Sequence, residues 1–253
     1  IGKTPSGFFN IYNDLNEGES VIKNPSQVRL LNAFKISGRT NKGLGLGIFN
    51  AVTNNTYAEI EDSSGNVRKV LTEPFTDFNI IVVDQQLKNN SGFYVINTHT
   101  NRDKGFSDAN VTGAGFRLSN KKNTFLLEGT GALSERSNAS DEENIFEVKP
   151  GYKYMLKASK NGGFAQYGIS RSEVNEEFNA SDLGYFIIPG YTQYSGFASI
   201  QQYKKWRFIR ESFHDINSYV TTNYTTGDIR QSEFSFNSFF NLLSFNAFFV
   251  GGG

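Results

Sequence analysis

The sequence predicts an all-β protein, specifically an antiparallel up-and-down transmembrane β-barrel. Three observations lead to this prediction. Apolar and polar residues alternate over long segments, short turns alternate with long polar connections, and aromatic residues make up 15% of the chain although mean hydropathy is −0.43. A period of two places apolar side chains on one face of a strand. In a membrane barrel that face meets lipid, and the other faces a wet lumen.

The composition argues against several other classes of protein. Lys and Arg together number 25, as do Asp and Glu, so the formal charge is zero and nothing favours nucleic acid as a partner. Without cysteine, the chain has no disulfide, no Cys-based zinc site and no thiol nucleophile. No run of about 18 apolar residues is present, so the sequence contains no transmembrane helix.

The segment at 43–53 shows the alternation most clearly. Four apolar side chains share one face of the predicted strand: Leu44, Leu46, Ile48 and Val52. Small residues are frequent on the opposite face: Gly43, Gly45, Gly47 and Ala51. A plug or an inward loop could approach these small residues closely, but plain packing within the barrel is the explanation that we favour.

Twelve segments are predicted as strands, the last of them only as a candidate, in one domain or barrel segment that covers residues 1–253. Their predicted bounds are 30–40, 43–53, 74–88, 92–100, 110–120, 124–136, 147–160, 163–171, 190–202, 206–221, 231–241 and 242–250. Most are about nine to fifteen residues long, whereas strands of soluble sheets typically have five or six. Strands of this length match a tilted crossing of a bilayer.

The connections between these segments alternate in length. Short turns rich in Asn and Gly, which accept positive φ, are expected at 41–42, 89–92, 120–123 and 161–163, with a weaker candidate at 203–205. Long polar stretches lie between them, at 54–73, 101–109, 137–145, 172–189 and 222–230. Short turns at one rim and long loops at the other are typical of outer-membrane barrels.

The alternation also predicts which residues face lipid, lumen and membrane surface. Four aromatic residues are expected at the membrane interfaces: Tyr152, Tyr154, Trp206 and Phe208. Four polar residues are expected to face the lumen: Lys149, Lys153, Lys157 and Gln166.

No motif for catalysis, cofactor binding or metal binding emerges. The series Gly43-x-Gly45-x-Gly47 lacks the third glycine and the following helix of a dinucleotide site. His99 and His214 are isolated, without partners at metal-ligand spacing. We therefore predict no cofactor, no metal and no catalytic residue.

Several stretches resemble an outer-membrane barrel family known as domain of unknown function 5916. They are LNAFKISGRTNKGLG at 31–45, FNAVT at 49–53, DANVTG at 108–113, KKNT at 121–124 and FNASDLG at 178–184. The resemblance implies a β-barrel of the Gram-negative outer membrane, often downstream of a carbohydrate-binding domain similar to family 9. It also implies further strands and such a domain upstream of residue 1, and a barrel wider than the strands seen here.

We therefore expect a non-enzymatic outer-membrane protein that serves in ligand passage or capture, or as a component of a membrane assembly. The expected partners are outer-membrane lipid, other envelope proteins and a glycan ligand. One alternative is a secreted all-β carbohydrate-binding or adhesin module, which would seal its apolar residues between two sheets. A second alternative is a membrane-bound glycan hydrolase that uses loop carboxylates, namely Glu173, Glu176, Glu177 and Asp182.

Overall fold

The fold is all-β and is organised as two antiparallel sheets. The computed structural model describes residues 3–103, 106–137, 150–183 and 187–253, and this part of the chain contains fifteen strands and two short 3-10 helices. The strands are β1 (Ser20–Lys23), β2 (Leu30–Arg39), β3 (Leu44–Thr53), β4 (Thr56–Glu61), β5 (Val67–Glu73), β6 (Thr76–Gln86), β7 (Gly92–Arg102), β8 (Ala109–Ser119), β9 (Phe125–Arg136), β10 (Gly151–Lys160), β11 (Ala165–Val174), β12 (Tyr191–Gln202), β13 (Ile209–Asn223), β14 (Ile229–Leu242) and β15 (Ala247–Gly252). The helices span Asn10–Asn13 and Ser181–Leu183.

Twelve strands form the larger sheet, in the order β15-β14-β13-β12-β11-β10-β9-β8-β7-β6-β3-β2. Every pair is antiparallel, and nearly every strand pairs with its neighbour in the chain, so the topology is up-and-down. Strands β2 and β15 form its two edges, and within the described residues they do not pair with each other. The sheet is therefore open, as expected of part of a barrel.

These twelve strands confirm the twelve predicted from the alternation. Most boundaries differ from the predicted ones by three residues or fewer, and two of the differences have a clear cause in the backbone. The segment predicted at 206–221 begins only at Ile209, because Arg207 has φ of 53° and Trp206 and Ile209 close a tight turn through two backbone hydrogen bonds of 2.9 Å. The last strand begins at Ala247 rather than at 242, because Phe245 adopts φ of 64° in a turn.

The alternation of short and long connections is also confirmed. In the short turn after β6, Asn89 and Asn90 have φ of 58° and 54°, which asparagine tolerates better than most side chains. Asn123 and Gly163 adopt positive φ in the turns after β8 and β10. The short turns lie at one end of the sheet, and the long connections lie at the other.

The stretch 54–73 was expected to be a polar connection, but it forms the hairpin of β4 and β5. With β1 they make the smaller sheet, in the order β1-β4-β5. The chain reverses where the Asp62 carboxylate accepts hydrogen bonds from the backbone N–H groups of Ser64 (2.8 Å) and Asn66 (2.9 Å). Because burial alternates along β4, with Ala58 and Ile60 buried, a period of two was present there over a segment too short to be recognised.

The smaller sheet has a compact apolar core, whereas the larger sheet buries few large side chains. Ile11, Ala58 and Ile60 form that core. No helix in the described part of the chain is long and apolar enough to cross a membrane.

Candidate functional site

The candidate site is the larger sheet itself, because its two faces differ sharply in chemistry. Residues paired across antiparallel strands share a face, so the strand register assigns each side chain. Ile36 pairs with Ile48 and Ile48 with Ile81, which places all three on what we call the apolar face. Each of the twelve strands contributes at least one large, solvent-exposed hydrophobic side chain to this face: Ile36, Ile48, Ile81, Val95, Phe116, Leu127, Leu156, Ile169, Ile200, Ile216, Phe236 and Val250.

The apolar residues concentrate in the half of the sheet next to the short turns. On β3, β6, β7 and β8 the other half of the same face is polar, with these residues: Asn50, Asp77, Asn79, Asn97, His99, Asn110 and Thr112. Several of these side chains form hydrogen bonds between neighbouring strands. The Asn50 side-chain amide donates to Asp77 (2.6 Å) and Asn79 (3.0 Å). The apolar face is therefore a belt bordered by a hydrogen-bonded polar zone.

The four predicted interfacial aromatics lie at opposite ends of the sheet. Tyr152 and Tyr154 are on the apolar face of β10, at the end next to the long connections. Trp206 and Phe208 lie in the short turn between β12 and β13, where they are 55% and 63% exposed. Their role at a membrane surface stays a prediction.

Polar groups surround Tyr152 at its end of the apolar face. Its hydroxyl donates to the Glu173 carboxylate (3.1 Å) and lies 2.9 Å from the Tyr224 hydroxyl. Glu173 also pairs with Arg171 at 2.6 Å, and that guanidinium lies over the Tyr194 ring. These tyrosines and charges form one cluster at the border of the belt.

The opposite face, which we call the polar face, carries three of the four predicted lumen residues. Lys153 and Lys157 lie on it in β10, and Gln166 lies on it in β11. The fourth, Lys149, is outside the described residues. The Glu128 carboxylate lies 2.8 Å from Arg117 and 4.0 Å from Lys157, so cations and an anion of three neighbouring strands meet on this face.

Glycines create room for larger groups on this face. Arg39 and Asp84 are both in register with Gly45 and form an ion pair of 2.5 Å above it. A Cβ atom at Gly45 would overlap the Asp84 carboxylate. The glycine series of β3 thus accommodates an ion pair, not the plug or inward loop considered from the sequence.

An inward approach does occur on the polar face, in the connection between β11 and β12. Residues 175–182, which we call the inward segment, turn back across the polar face. Phe178 is buried against Gly151 of β10, where any Cβ atom would overlap the backbone of residues 177 and 178. The backbone N–H of Asn179 donates to Ser134 Oγ of β9 at 3.0 Å.

The inward segment ends in a buried ion pair. Asp182 lies 2.5 Å from Arg102 of β7, and the two side chains are only 11% and 9% exposed. Between the segment and the sheet is a cavity of about 380 Å³, lined by Phe178 and Asp182 on one side and by Thr98 and Thr130 on the other. The sequence predicted this connection only as a long polar stretch.

The carboxylates considered for hydrolysis do not converge. Glu173 lies on the apolar face with Arg171, whereas Asp182 lies on the polar face with Arg102. Glu176 accepts a hydrogen bond from Thr225. His214 contacts the hydroxyls of Ser212 and Ser238, both at 3.1 Å. Within the described ranges, no group of three or more His, Cys, Asp and Glu side chains could hold a metal ion.

The fold and these two faces define a class of protein: an all-β protein built on a long, open, up-and-down antiparallel sheet. The model of the family described as Domain of unknown function (DUF5916) matches residues 1–252, so the chain belongs to that family. Searches of the curated proteins and of the solved structures find no match.

Proposed function

We propose that the larger sheet is the wall of a membrane-spanning β-barrel of the Gram-negative outer membrane. The observation that carries the proposal is the exposed apolar belt, to which all twelve strands contribute. Twelve strands side by side are roughly 50 Å wide, so the belt forms a large continuous apolar surface. Soluble monomers rarely expose apolar patches with an area above a few hundred Å². In hydrocarbon, unlike in water, the exposure of these apolar side chains carries no free-energy penalty.

The distribution of polar groups supports the same proposal. Tyrosines and charges border the belt at the end of the long connections, and Trp206 and Phe208 are exposed at the other end, as aromatic girdles would be. The side chains of the belt are exposed, so neither the smaller sheet nor another described strand covers them, which argues against the secreted sandwich-like module.

The role that we propose is passage or capture of a ligand along the polar face, without catalysis. Ionised side chains and hydroxyls line that face, as they line water-filled barrels. Because β2 and β15 are open edges, closure of the wall requires that each of them pair with another strand. Outer-membrane lipid and other envelope proteins are the proposed partners. A glycan is the proposed ligand, since Tyr94, Thr98 and Thr130 on this face offer an aromatic ring and hydroxyls.

Single cysteines on β11 test this proposal, because the native chain has none to remove. Tyr167 and Ile169 lie on the apolar face and Gln166 and Ser170 on the polar face. In outer-membrane vesicles, we expect a charged maleimide to label Q166C and S170C but not Y167C and I169C. A bimane on the latter two should be quenched by nitroxide lipids. All four variants should keep the unboiled gel mobility of the wild type.

The contradicting outcome is equally clear. Ile169 is 72% exposed in the structure. If the belt faced water, I169C would react with the charged maleimide as fast as S170C, lipid quenchers would have no effect, and the protein would fractionate without the outer membrane.

A further inference from the structure

We propose that the inward segment, residues 175–182, is a constriction that narrows the barrel lumen at β7–β10 and sets the size of the solutes that pass. This inference rests on the proposed function, because it requires that the polar face line a lumen. It adds a specific element that limits passage.

The path of the segment is the first observation. It leaves β11 at Val174 and crosses β10 and β9 before Asp182 reaches β7. Strand β7 lies four strand spacings from β11, so the segment and the Arg102 side chain together extend roughly 19 Å across the sheet. The segment contacts the polar face at Gly151, Ser134 and Arg102, near the strand ends that adjoin the long connections, instead of extending into water.

The sheet is shaped to receive the segment. Gly151 leaves the space that the backbone of residues 177 and 178 occupies, and Phe178 is only 2% exposed. Ser134, 3% exposed, accepts the hydrogen bond from Asn179. Asn175 continues the pairing of β11, since its side chain accepts from the Tyr152 N–H at 2.8 Å and its N–H donates to Tyr152 O at 3.1 Å.

The Arg102–Asp182 ion pair fastens the far end of the segment. Both side chains are about nine-tenths buried, and Arg102 also donates to Ser107 O at 2.6 Å. Loss of one partner from a buried pair leaves an uncompensated charge, so it should release the segment. The segment is thus attached to the sheet at both ends and along its length. A constriction needs such attachment, because a loose segment would not set a fixed size limit.

The space beneath the segment indicates what it excludes. The cavity of about 380 Å³ is near the lower size limit of small-molecule sites. It is lined by threonine hydroxyls, Lys153 and aromatic rings, and also by aliphatic side chains such as Ile96 and Val111. Small polar solutes fit this space, and large ones do not. We therefore expect the segment to discriminate by size among neutral polar solutes.

The experiment first tests the position of the segment. In the full-length protein, S134C with N179C should form a disulfide under mild oxidation or be joined by a short bis-maleimide, because the Asn179 backbone N–H donates to Ser134 Oγ at 3.0 Å and the two residues are therefore adjacent. A gel or mass shift reports this bond whether or not the protein conducts solutes. If folded protein forms neither the disulfide nor the bis-maleimide cross-link, the segment does not lie on this wall and the inference is overturned.

The second step measures passage in proteoliposomes that contain neutral saccharides of increasing size. G151A should displace the segment and raise the swelling rate for trisaccharides several-fold more than for monosaccharides. Gly131→Ala on β9 is the matched control, since a Cβ atom there has no contact closer than 3.7 Å. D182N should also release the segment, because it removes the ion pair without changing a strand. The cross-linked S134C–N179C variant, by contrast, should keep the wild-type size limit.

Wild-type size dependence in both G151A and D182N, with the disulfide formed, would overturn the constriction. A protein that forms the disulfide but enters no membrane would instead contradict the proposed function, and the constriction with it. The two failures are therefore distinguishable.

Discussion

At the scale of single residues, glycines decide where side chains of neighbouring strands meet. On the polar face, the Tyr94 ring covers Gly115, and the Phe197 ring covers Gly168. A Cβ atom at either glycine would lie 2.5 Å from an aromatic carbon. Aromatic rings thus compensate for glycine, which by itself weakens a strand.

Gly45 and Gly47 give a matched pair for a test. Gly45→Ala should displace the Asp84 carboxylate from Arg39, because the new Cβ would overlap it, whereas a Cβ atom at Gly47 meets nothing closer than 3.9 Å. The ion pair is partly exposed, so its loss should cost about 0.5–1 kcal/mol. Urea unfolding followed by the unboiled gel mobility would measure the difference.

Two outcomes would contradict a stabilising role of the Arg39–Asp84 ion pair. Equal unfolding midpoints for Gly45→Ala and Gly47→Ala would mean that the Arg39–Asp84 pair contributes nothing measurable. An equal loss in both variants would mean that glycine itself, rather than the ion pair above Gly45, is required in β3.

At the scale of elements, the smaller sheet depends on two carboxylates. Glu19 accepts two hydrogen bonds from the Arg68 guanidinium, at 2.7 and 2.6 Å, which tie the loop before β1 to β5. Hydrogen bonds from Arg68 and from the Asn16 backbone lower the pKa of Glu19 to about 2. Burial raises the pKa of Glu73, but hydrogen bonds from Lys3 and Ser6 outweigh burial and leave it below its usual value.

A fall in pH should therefore destabilise the smaller sheet before it destabilises the larger one. A carboxyl whose pKa is depressed by folding stabilises the fold fully above its unfolded pKa, near 4.5 for Glu19. That stabilisation is lost as the pH falls from 4.5 towards 2. Hydrogen exchange, corrected for intrinsic rates, should show protection of β4 and β5 decreasing over this range.

Strands β8 and β9 are the internal control for this measurement. Their register contains the exposed pair Arg117–Glu128 but no carboxyl with a comparable role. If β8 and β9 lost protection in parallel with β4 and β5, the transition would be global and these two carboxylates would not be its cause.

At the scale of the whole molecule, the environment of the apolar belt decides the cost of a charge. I169R would place a guanidinium on the apolar face, and S170R would place it one position along on the polar face. In a bilayer we expect I169R to cost about 2–4 kcal/mol near the midplane. S170R should cost roughly 0.5 kcal/mol or less, as typical surface substitutions do.

Refolding into lipid vesicles, monitored by unboiled gel mobility across a urea series, would measure both costs. In water, replacement of a side chain as exposed as Ile169 would be almost neutral. Equal stability of I169R and S170R would therefore count against a lipid-facing belt.

The local patterns account for what could be predicted of the fold and the site. Strand alternation over nine or more residues identified all twelve strands of the larger sheet, and Asn and Gly identified its short turns. The three strands of the smaller sheet, β1, β4 and β5, were missed, because a pattern of four to seven residues does not stand out from a polar loop. The turn at Arg207 was missed because arginine carries no signal for positive φ.

The sequence by itself determined the strands, their alternation of faces and therefore the apolar belt, because a period of two is a property of adjacent residues. Only the tertiary structure showed that the inward segment lies on the polar face and that Gly45 accommodates an ion pair. These features depend on residues far apart in the chain, such as Arg102 and Asp182, which are 80 positions apart. Local spacing carries no information about such contacts, since the packing of the folded sheet brings them together.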